Sequence, residues 1–438
     1  MHLSRRLLLL GLAISLTNCS SCAGPTPSLG PADGQGGLRA VSVKHQGTFT
    51  DDVHVAPGHL VVMWESLRGW GYRWQGEAPI AWERKEGGQL LVNGKLVGVD
   101  LGAADANDLR ELVAKQAGQL SVFLCDAEIT PAQSAAIKAL AAKEVVVRCA
   151  SPCNPKSLAG LGEKLHGLDL NTLSIEEARA YAGFARIENL RLSEREVDLA
   201  ALSELPDLRT LDLRGATAIR GVEHLAALRK LEALTFPELP IGEAALRHVA
   251  KLTQLRLLDV PSLEAGDSAL AQLAGLTKLE KLRLGGGAYG EAGASHLVKL
   301  TRLRWLSLSA TTLGDAGIAH LSQLTKLEVL WLWNTGIGDA GLAHLAKLAN
   351  LRTLNVSDTQ IADAGLAQLA GLGALRNLDV SGTSLTDKSV NALSKLSTIT
   401  WVNLANTQLS DGAIATLRER LPNAMVVGNE QAELSDDF

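Results

Sequence analysis

Histidine is the residue type whose recurrence most resembles a chemical site, because four histidines hold one position of a repeating pattern. They are His248, His296, His320 and His344. Imidazole binds transition metals, but the pattern places these residues on successive helices. Neighbouring helices pack about 8 to 10 Å apart, too far for side-by-side histidines to share one ion. We therefore expect structural or solvent-facing histidines and no metal. A second and weaker candidate for a metal site is formed by His54 and His59 with Asp51 and Asp52.

Carboxylates recur in the same way, one in each repeat. They are Glu243, Asp267, Glu291, Asp315, Asp339, Asp363, Asp387 and Asp411. Acid–base catalysis requires groups that converge on one proton, and a single carboxylate in each repeat does not provide them. We predict instead that each carboxylate caps the free backbone N–H groups opening a helix and complements the helix dipole.

Motifs of known enzymes are missing from the sequence. It contains no G-x-S-x-G elbow, no H-E-x-x-H zinc motif and no phosphate-binding loop. Gly285-Gly286-Gly287 follows a predicted strand but lacks the phosphate-binding pattern. We therefore predict a protein that is not an enzyme and uses no cofactor, with a catalytic N-terminal module as the alternative.

An internal repeat of 24 residues determines the elements that would position these side chains. Eight consecutive segments restart at this interval, at Leu231, Leu255, Leu279, Leu303, Leu327, Leu351, Leu375 and Ile399. Earlier units begin at Leu208, Ile187 and Leu165, and more degenerate ones at Leu96, Leu120 and near Glu144. We number positions within a unit from these first residues.

Each unit has the pattern of a strand, a loop and a helix. In the unit 303–326, Leu306 and Leu308 alternate as the buried face of a strand does. Ile318 and Leu321 follow at three-residue spacing, which indicates one apolar face of a helix. A single unit cannot bury both faces, so the units must stack.

The units resemble leucine-rich repeats of the pattern L-x-x-L-x-L-x-x-T-x-[IL]-x-D-A-G-L-A-H-L and are similar to the GALA and cysteine-containing subclasses. The match is close at 327–350 and covers roughly 165–425. The resemblance implies an α/β fold, a leucine-rich-repeat solenoid of horseshoe form with a parallel concave sheet and outer helices. Such domains act mainly as scaffolds that bind proteins, and some bind glycans or lipids.

Tryptophans interrupt the predicted concave face. Side chains at the third, fifth and seventh positions of each unit should point to solvent there, and most are small or polar. The exceptions are Trp305, Trp331, Trp333 and Trp401. Exposed indoles bury a large area at low entropy cost, so we predict that they bind a protein or peptide partner. Lys281 and Arg283 in the preceding unit could pair with an acidic or carbonyl-rich partner. The alternatives are that the indoles stack on each other, or that they bind a glycan such as peptidoglycan or a surface polysaccharide.

The N-terminus has the features of an export signal. Arg5 and Arg6 precede an apolar run at 7–16 that is too short to span a bilayer. The sequence Leu16-Thr17-Asn18-Cys19 resembles the lipobox of bacterial lipoproteins, which implies lipidation of Cys19. We expect a lipid-anchored protein of the bacterial envelope, with the outer membrane favoured. An ordinary signal peptide with a periplasmic or secreted product is the alternative.

The remaining cysteines fall in two places. Cys22 lies in the segment that follows the signal. Cys125 and Cys149 occupy inward positions of degenerate units, which favours buried thiols. Because export permits disulfides, a Cys149–Cys153 or Cys125–Cys149 bond is the alternative.

The domain organisation follows from these patterns. We predict a signal peptide at 1–19, a flexible tether at 20–37, a small β-rich cap or aromatic module at 38–95, degenerate repeats at 96–164, a leucine-rich-repeat domain with its C-terminal cap at 165–428, and a disordered tail at 429–438. Asn93-Gly94 indicates a tight hairpin. The net charge of −5 gives no nucleic-acid footprint.

Overall fold

A computed structural model describes the backbone of strands at 82–84, 89–92, 95–100 and 122–125, and then residues 129–139, 145–149, 154–170, 172–193 and 196–429. The predicted signal peptide, the tether, most of the segment 38–95 and nearly all of the tail lie outside the described residues.

Within the described residues, seventeen strands form one sheet. The first two pairings are antiparallel and the others are parallel, so the expected array on a parallel sheet is confirmed. The strands, in order across the sheet, are Trp82–Arg84, Gln89–Val92, Lys95–Asp100, Val122–Cys125, Val145–Cys149, Leu165–Leu170, Asn189–Leu192, Thr210–Asp212, Ala233–Thr235, Leu257–Val260, Lys281–Leu284, Trp305–Ser307, Val329–Trp331, Thr353–Asn355, Asn377–Asp379, Trp401–Asn403 and Met425–Val427.

The register of the sheet follows the sequence interval. Lys281 pairs with Trp305, Trp305 with Val329 and Val329 with Thr353, so these partners lie 24 positions apart. A second set of parallel pairings links the loops beyond the strands, as between Glu196–Asp198 and Ala218–Arg220 and between Ile241–Gly242 and Leu263–Glu264. Adjacent repeats are therefore hydrogen-bonded in two places.

Helices complete the units, and helices of adjacent repeats pack on each other. In chain order they are Pro131–Ala139, Pro155–Leu158, Ile175–Ala182, Glu243–Val249, Asp267–Leu273, Glu291–Leu297, Asp315–Leu321, Asp339–Leu345, Asp363–Leu366, Val390–Leu393 and Asp411–Arg420. Single or double 3₁₀ turns occupy Ala159–Lys164, Leu199–Glu204, Val222–Ala227, Ala367–Gly371 and Asp387–Ser389. In the part of the chain that the structure describes, no helix combines the length and the apolar character needed to cross a membrane.

The core is a continuous stack of aliphatic side chains. In the unit 303–326 the strand residue Leu306, Leu308 just after the strand, and the helix residues Ile318 and Leu321 have no exposed surface. Equivalent residues of the neighbouring units are buried in the same way and belong to the same cluster. Stacking thus covers faces that one unit alone would expose.

Five of the eight recurring carboxylates accept backbone N–H groups at the start of a helix, and in each case that helix belongs to the next repeat. Oδ1 of Asp267 accepts hydrogen bonds from the backbone N–H groups of Gly290 and Gly293, at 2.8 and 2.9 Å. Oδ1 of Asp315 accepts one from Gly338 at 2.7 Å. The same bond runs from Ala362 to Asp339, from Thr386 to Asp363 and from Ser410 to Asp387. Each of these five carboxylates therefore ties two units together.

Close approach of these carboxylates explains the glycine of the D-A-G sequence. A Cβ at Gly365 would lie 2.7 Å from Cα of Asp339 in the preceding unit. Real Cβ atoms do not approach backbone so closely, so only glycine fits this position of the helix without a shift of one unit against the other.

A corner that follows each strand accounts for the threonine at the ninth position. The eighth residue has positive φ in six consecutive units, at Gly286, Ala310, Asn334, Asp358, Gly382 and Asn406. The hydroxyl of the ninth residue then donates to the carbonyl of the sixth, from Thr311 to Leu308, Thr335 to Leu332, Thr359 to Val356, Thr383 to Val380 and Thr407 to Leu404. The buried carbonyl at the corner is satisfied by this bond.

In the unit that begins at Leu279, a different side chain bonds to the corner carbonyl. Gly287 stands where the five following units have threonine, and Tyr289 stands where they have leucine or isoleucine. The Tyr289 hydroxyl donates to the carbonyl of Leu284, and a Cβ on Gly287 would overlap the Tyr289 ring. Tyr289, which has no exposed surface, thus provides both the apolar filling and the hydrogen bond.

Strands at the N-terminal end of the described residues join the same sheet. Gln89–Val92 and Lys95–Asp100 pair antiparallel on either side of Asn93-Gly94, as expected of a hairpin. Lys95–Asp100 then pairs in parallel with Val122–Cys125. At the other end, Met425–Val427 pairs with Trp401–Asn403 as a terminal strand.

Candidate functional site

The third, fifth and seventh residues of each unit form one surface of the parallel sheet, which we call the sheet face. The sequence predicts that these side chains are solvent-exposed, and for most of them this is wrong. Thr353 and Asn377 are 1% exposed, and Ser357 and Asp379 are 7% and 9% exposed. Because strands lie about 4.8 Å apart, neighbouring side chains along each row cover one another.

Polar side chains of the sheet face bond to one another. Oδ1 of Asp379 accepts hydrogen bonds from the backbone N–H and the hydroxyl of Ser381, at 3.0 and 2.7 Å, and Asn355 holds Ser357 in the same way. Burial raises the pKa of Asp379 above its usual value despite these bonds. The hydrogen-bonding capacity of these groups is thus taken up, at least in part, by bonds within the protein.

Trp305 and Trp331 lie together as predicted from their positions on adjacent strands. Their ring centroids are 5.0 Å apart and the ring planes meet at 65°, an edge-to-face contact. Trp305 is only 6% exposed, so the expectation of an exposed indole is wrong for this residue. Trp331 is half-buried and Trp333 is 39% exposed. The solvent-accessible part of the group is therefore Trp331 and Trp333, supported by Trp305.

Lys281 lies beneath this aromatic group and does not reach outward. Its Nζ is 4.5 Å from the centroid of the Trp305 ring, and the residue is 4% exposed. Burial, followed by the charge of Arg283, holds the pKa of Lys281 well below its usual range. Lys281 is thus not available to an acidic partner as the sequence suggested, and its side chain packs against the Trp305 ring instead.

Charges around the aromatic group are paired within the protein. Nη1 of Arg283 lies 3.9 Å from a carboxylate oxygen of Asp259. At the second position of the units, Nη2 of Arg304 lies 2.6 Å from Oε1 of Glu328. The expected contact between Arg283 and a partner would compete with its internal pair.

Trp401 occupies the sheet face three strands further along. Its strand pairs with Asn377–Asp379 on one side and with Met425–Val427 on the other, and its ring is half-buried. Met425, its register partner, is 44% exposed. Sequence reasoning missed Met425, although its place in the third position of the terminal strand is visible from the repeat.

A second group that sequence reasoning missed lies near the other end of the sheet face. We call it the polar hollow, a depression lined mainly by Asn189, Arg191, Thr210, Asp212 and Arg214. Nε and Nη2 of Arg214 donate to the two Asp212 oxygens at 3.1 and 2.8 Å, and Nε of Arg191 lies 3.7 Å from Oδ2. One feature of the sequence could have indicated this group: two consecutive units have polar residues at both the third and the fifth position.

Electrostatics of the polar hollow favour the ionised carboxylate. Burial alone would raise the pKa of Asp212, but the hydrogen bonds and charge of Arg214, together with the charge of Arg191, outweigh it. The pKa of Asp212 therefore lies below its usual value, and the group forms a fixed, buried cluster of charges.

Known proteins share this architecture. A family model described as leucine-rich repeat matches residues 347–370. An internalin from Listeria monocytogenes is similar in structure, with a TM-score of 0.52 and 20% identity, over 74% of this chain and 93% of the internalin chain. A leucine-rich-repeat protein of Leptospira interrogans has a TM-score of 0.52 and 16% identity, over 76% of this chain and 89% of that chain. No curated protein matches the sequence. The chain has the leucine-rich-repeat fold.

Leucine-rich-repeat architecture is in general a scaffold for protein–protein interaction. Its members are typically binding proteins without catalytic activity.

The four recurring histidines, His248, His296, His320 and His344, lie on helices as predicted. Nε2 of His320 is 3.8 Å from a carboxylate oxygen of Glu291 on the neighbouring helix. Within the described parts of the chain, no three His, Cys, Asp or Glu side chains are grouped so that they could hold a metal ion. His54 and His59 lie outside the described residues.

Cysteines of the degenerate leucine-rich repeats are described only in their backbone. Cys125 and Cys149 are register partners on adjacent parallel strands. Cys153, Cys19 and Cys22 lie outside the described residues. The disulfide alternatives and the lipidation of Cys19 stay predictions.

Proposed function

We propose that the protein is a non-enzymatic scaffold that binds a protein or peptide partner on its sheet face, with Trp331 and Trp333 as the main contacts. The observation that carries the proposal is the aromatic group itself. Trp333 is 39% exposed, which is unusual for a large side chain on a face whose other residues are mostly covered.

Preorganisation supports this assignment. Trp331 is held by its edge-to-face contact with Trp305, and Trp305 rests on Lys281. A ring fixed in this way loses little conformational entropy when a partner covers it. Nearby polar and charged side chains are bonded within the protein, so apolar contact with the indoles is the main interaction left for a partner.

The decisive experiment compares the wild-type protein with the variant Trp331→Ala/Trp333→Ala. Partners are captured from an envelope extract, identified, purified and titrated by calorimetry against both proteins. Loss of two indole contacts at the centre of an interface should weaken binding by about 2 kcal/mol or more, roughly thirtyfold in Kd. Circular dichroism checks that the variant is folded.

Ile175→Ala is the matched control, because Ile175 is 41% exposed but lies on a helix rather than on the sheet face. It should leave Kd unchanged. Equal binding by the wild type and the tryptophan variant would contradict the proposal. Release of the captured material by soluble peptidoglycan fragments would assign the indoles to a glycan instead.

We further propose that the protein is exported and anchored to the cell envelope through a lipid on Cys19. The proposal rests on Arg5 and Arg6, the short apolar run at 7–16 and the lipobox-like sequence that ends at Cys19. Incorporation of labelled fatty acid into the wild type, and its loss in Cys19→Ser, is the expected result. Unlabelled wild-type protein released into the periplasm or the medium would leave the ordinary signal peptide as the correct interpretation.

A further inference from the structure

The polar hollow contains three buried polar atoms that no hydrogen bond satisfies. They are Oδ1 of Asn189, Nε of Arg191 and Oγ1 of Thr210. The residues are 2%, 2% and 7% exposed, and all three line the same depression. A buried polar atom without a partner costs about 1 to 3 kcal/mol, so three at one place point to a polar group that binds there.

The unused atoms define the chemistry of that group. Both oxygens of Asp212 are engaged by Arg214, and Oδ1 also accepts the backbone N–H of Arg214. What remains is Nε of Arg191, which lies 3.7 Å from Oδ2 of Asp212 but makes no hydrogen bond, an acceptor on Asn189, and the Thr210 hydroxyl, which can donate or accept. A matching ligand must therefore both accept and donate hydrogen bonds.

The charges that line the hollow argue for a neutral ligand. Nε of Arg191 lies 3.7 Å from Oδ2 of Asp212, and Arg214 pairs with the same carboxylate. Groups of both signs therefore lie in the hollow. An anion or a cation brought into the hollow would meet a group of its own sign at close range, whereas a neutral dipole would not.

We propose that the polar hollow binds a neutral amide group of the partner. Its carbonyl oxygen accepts from Nε of Arg191, its N–H donates to Oδ1 of Asn189, and the Thr210 hydroxyl bonds to the same group. The inference rests on the proposed function, because the hollow lies on the sheet face that carries Trp331. Five strand spacings, about 24 Å, separate the strand of Thr210 from that of Trp331. An extended segment of about seven residues spans this distance.

Small amides test the site without knowledge of the partner. Acetamide represents a side-chain carboxamide and N-methylacetamide a main-chain peptide group; acetate and methanol test an anion and a lone hydroxyl. Each is titrated into isotopically labelled protein, with the Nε–H resonance of Arg191 and the amide resonance of Asn189 observed by NMR. A saturable shift with either amide, and a much weaker one with acetate and methanol, is the expected result. The better amide identifies the source.

Thr210→Val tests the hydroxyl and should weaken amide binding about tenfold, the value of one hydrogen bond. Thr353→Val is the matched control, since Thr353 holds the same position of a unit outside the hollow and is also buried. No saturable shift in the wild type, or a response to acetate or methanol that equals that to the amides, would overturn the proposal. The titration is repeated on Trp331→Ala/Trp333→Ala, where amide binding should persist, so failure of one site is distinguishable from failure of the other.

Discussion

Tyr289 takes the place of both the threonine and the leucine of the standard corner. Its removal should therefore lower the free energy of unfolding, and a threonine at position 287 should restore it. Tyr289→Phe deletes only the hydroxyl that donates to the buried carbonyl of Leu284. The free energy of unfolding should fall by about 1 to 2 kcal/mol, because the carbonyl loses its partner. Tyr289→Leu also removes volume, and we expect a loss of about 2 to 4 kcal/mol.

Gly287→Thr alone should destabilise by about 2 kcal/mol or more, since its Cβ would overlap the Tyr289 ring. The double variant Gly287→Thr/Tyr289→Leu recreates the arrangement of Thr311 and Leu313, in which a threonine hydroxyl serves the corner carbonyl. It should lie within about 1 kcal/mol of the wild type, a coupling of at least about 3 kcal/mol between the two positions.

Urea unfolding followed by circular dichroism measures the wild type and the four variants, with the slope of the transition checked for changes in cooperativity. Near-additive effects of the two single substitutions would refute the reasoning. That outcome would mean that Tyr289 and Gly287 act independently and that the corner carbonyl does not need a side-chain donor.

Three further predictions concern stability and use the same unfolding measurement. Ala310 has positive φ at a corner where Asn334 stands in the next unit, so Ala310→Asn should stabilise by about 0.5 to 1 kcal/mol and Asn334→Ala should destabilise by a similar amount. Gly365→Ala should cost about 1 to 3 kcal/mol because its Cβ meets the backbone of Asp339, whereas Gly371→Ala, with no neighbour within 4 Å, should cost nothing. Burial holds the pKa of Lys281 below its usual value, so between that lowered pKa and about 10.4 the unfolded chain binds more protons and stability should rise with pH. Lys281→Met should remove this rise in titrations from pH 7 to 10, and an unchanged slope would contradict the assigned cause.

Periodicity predicted the fold because each leucine position has one physical role. The spacing alone predicts that Leu306 and Leu308 belong to one buried face of a strand and that Ile318 and Leu321 belong to one face of a helix, and all four residues are buried. The 24-residue interval also predicted which residues pair across strands. Such an array needs no knowledge of long-range contacts, since each unit contacts only its neighbours.

Side-chain accessibility on the sheet face could not be predicted in the same way. Whether Trp305 is exposed depends on the sizes of Lys281 and Trp331 on the adjacent strands and on where their side chains turn. The alternation of residues along a strand predicts on which face of the sheet a side chain lies. It does not predict how far the side chains of adjacent strands cover it. The polar hollow was missed for the same reason, because Asn189 and Thr210 look like ordinary polar surface residues until burial is known.

The carboxylates that cap the helix of the following repeat give the array a direction. Asp315 holds the start of the helix at 339–345, and that helix carries Asp339, which holds the next start in turn. A chain synthesised from its N-terminus therefore presents each new helix to an acceptor that is already in place. Deletion of repeats from the C-terminal side leaves every remaining cap intact, whereas deletion from the N-terminal side uncaps the first helix that is left. Shortened versions of the protein should accordingly be built by trimming from the C-terminus, with the terminal strand at 425–427 transferred to the new end.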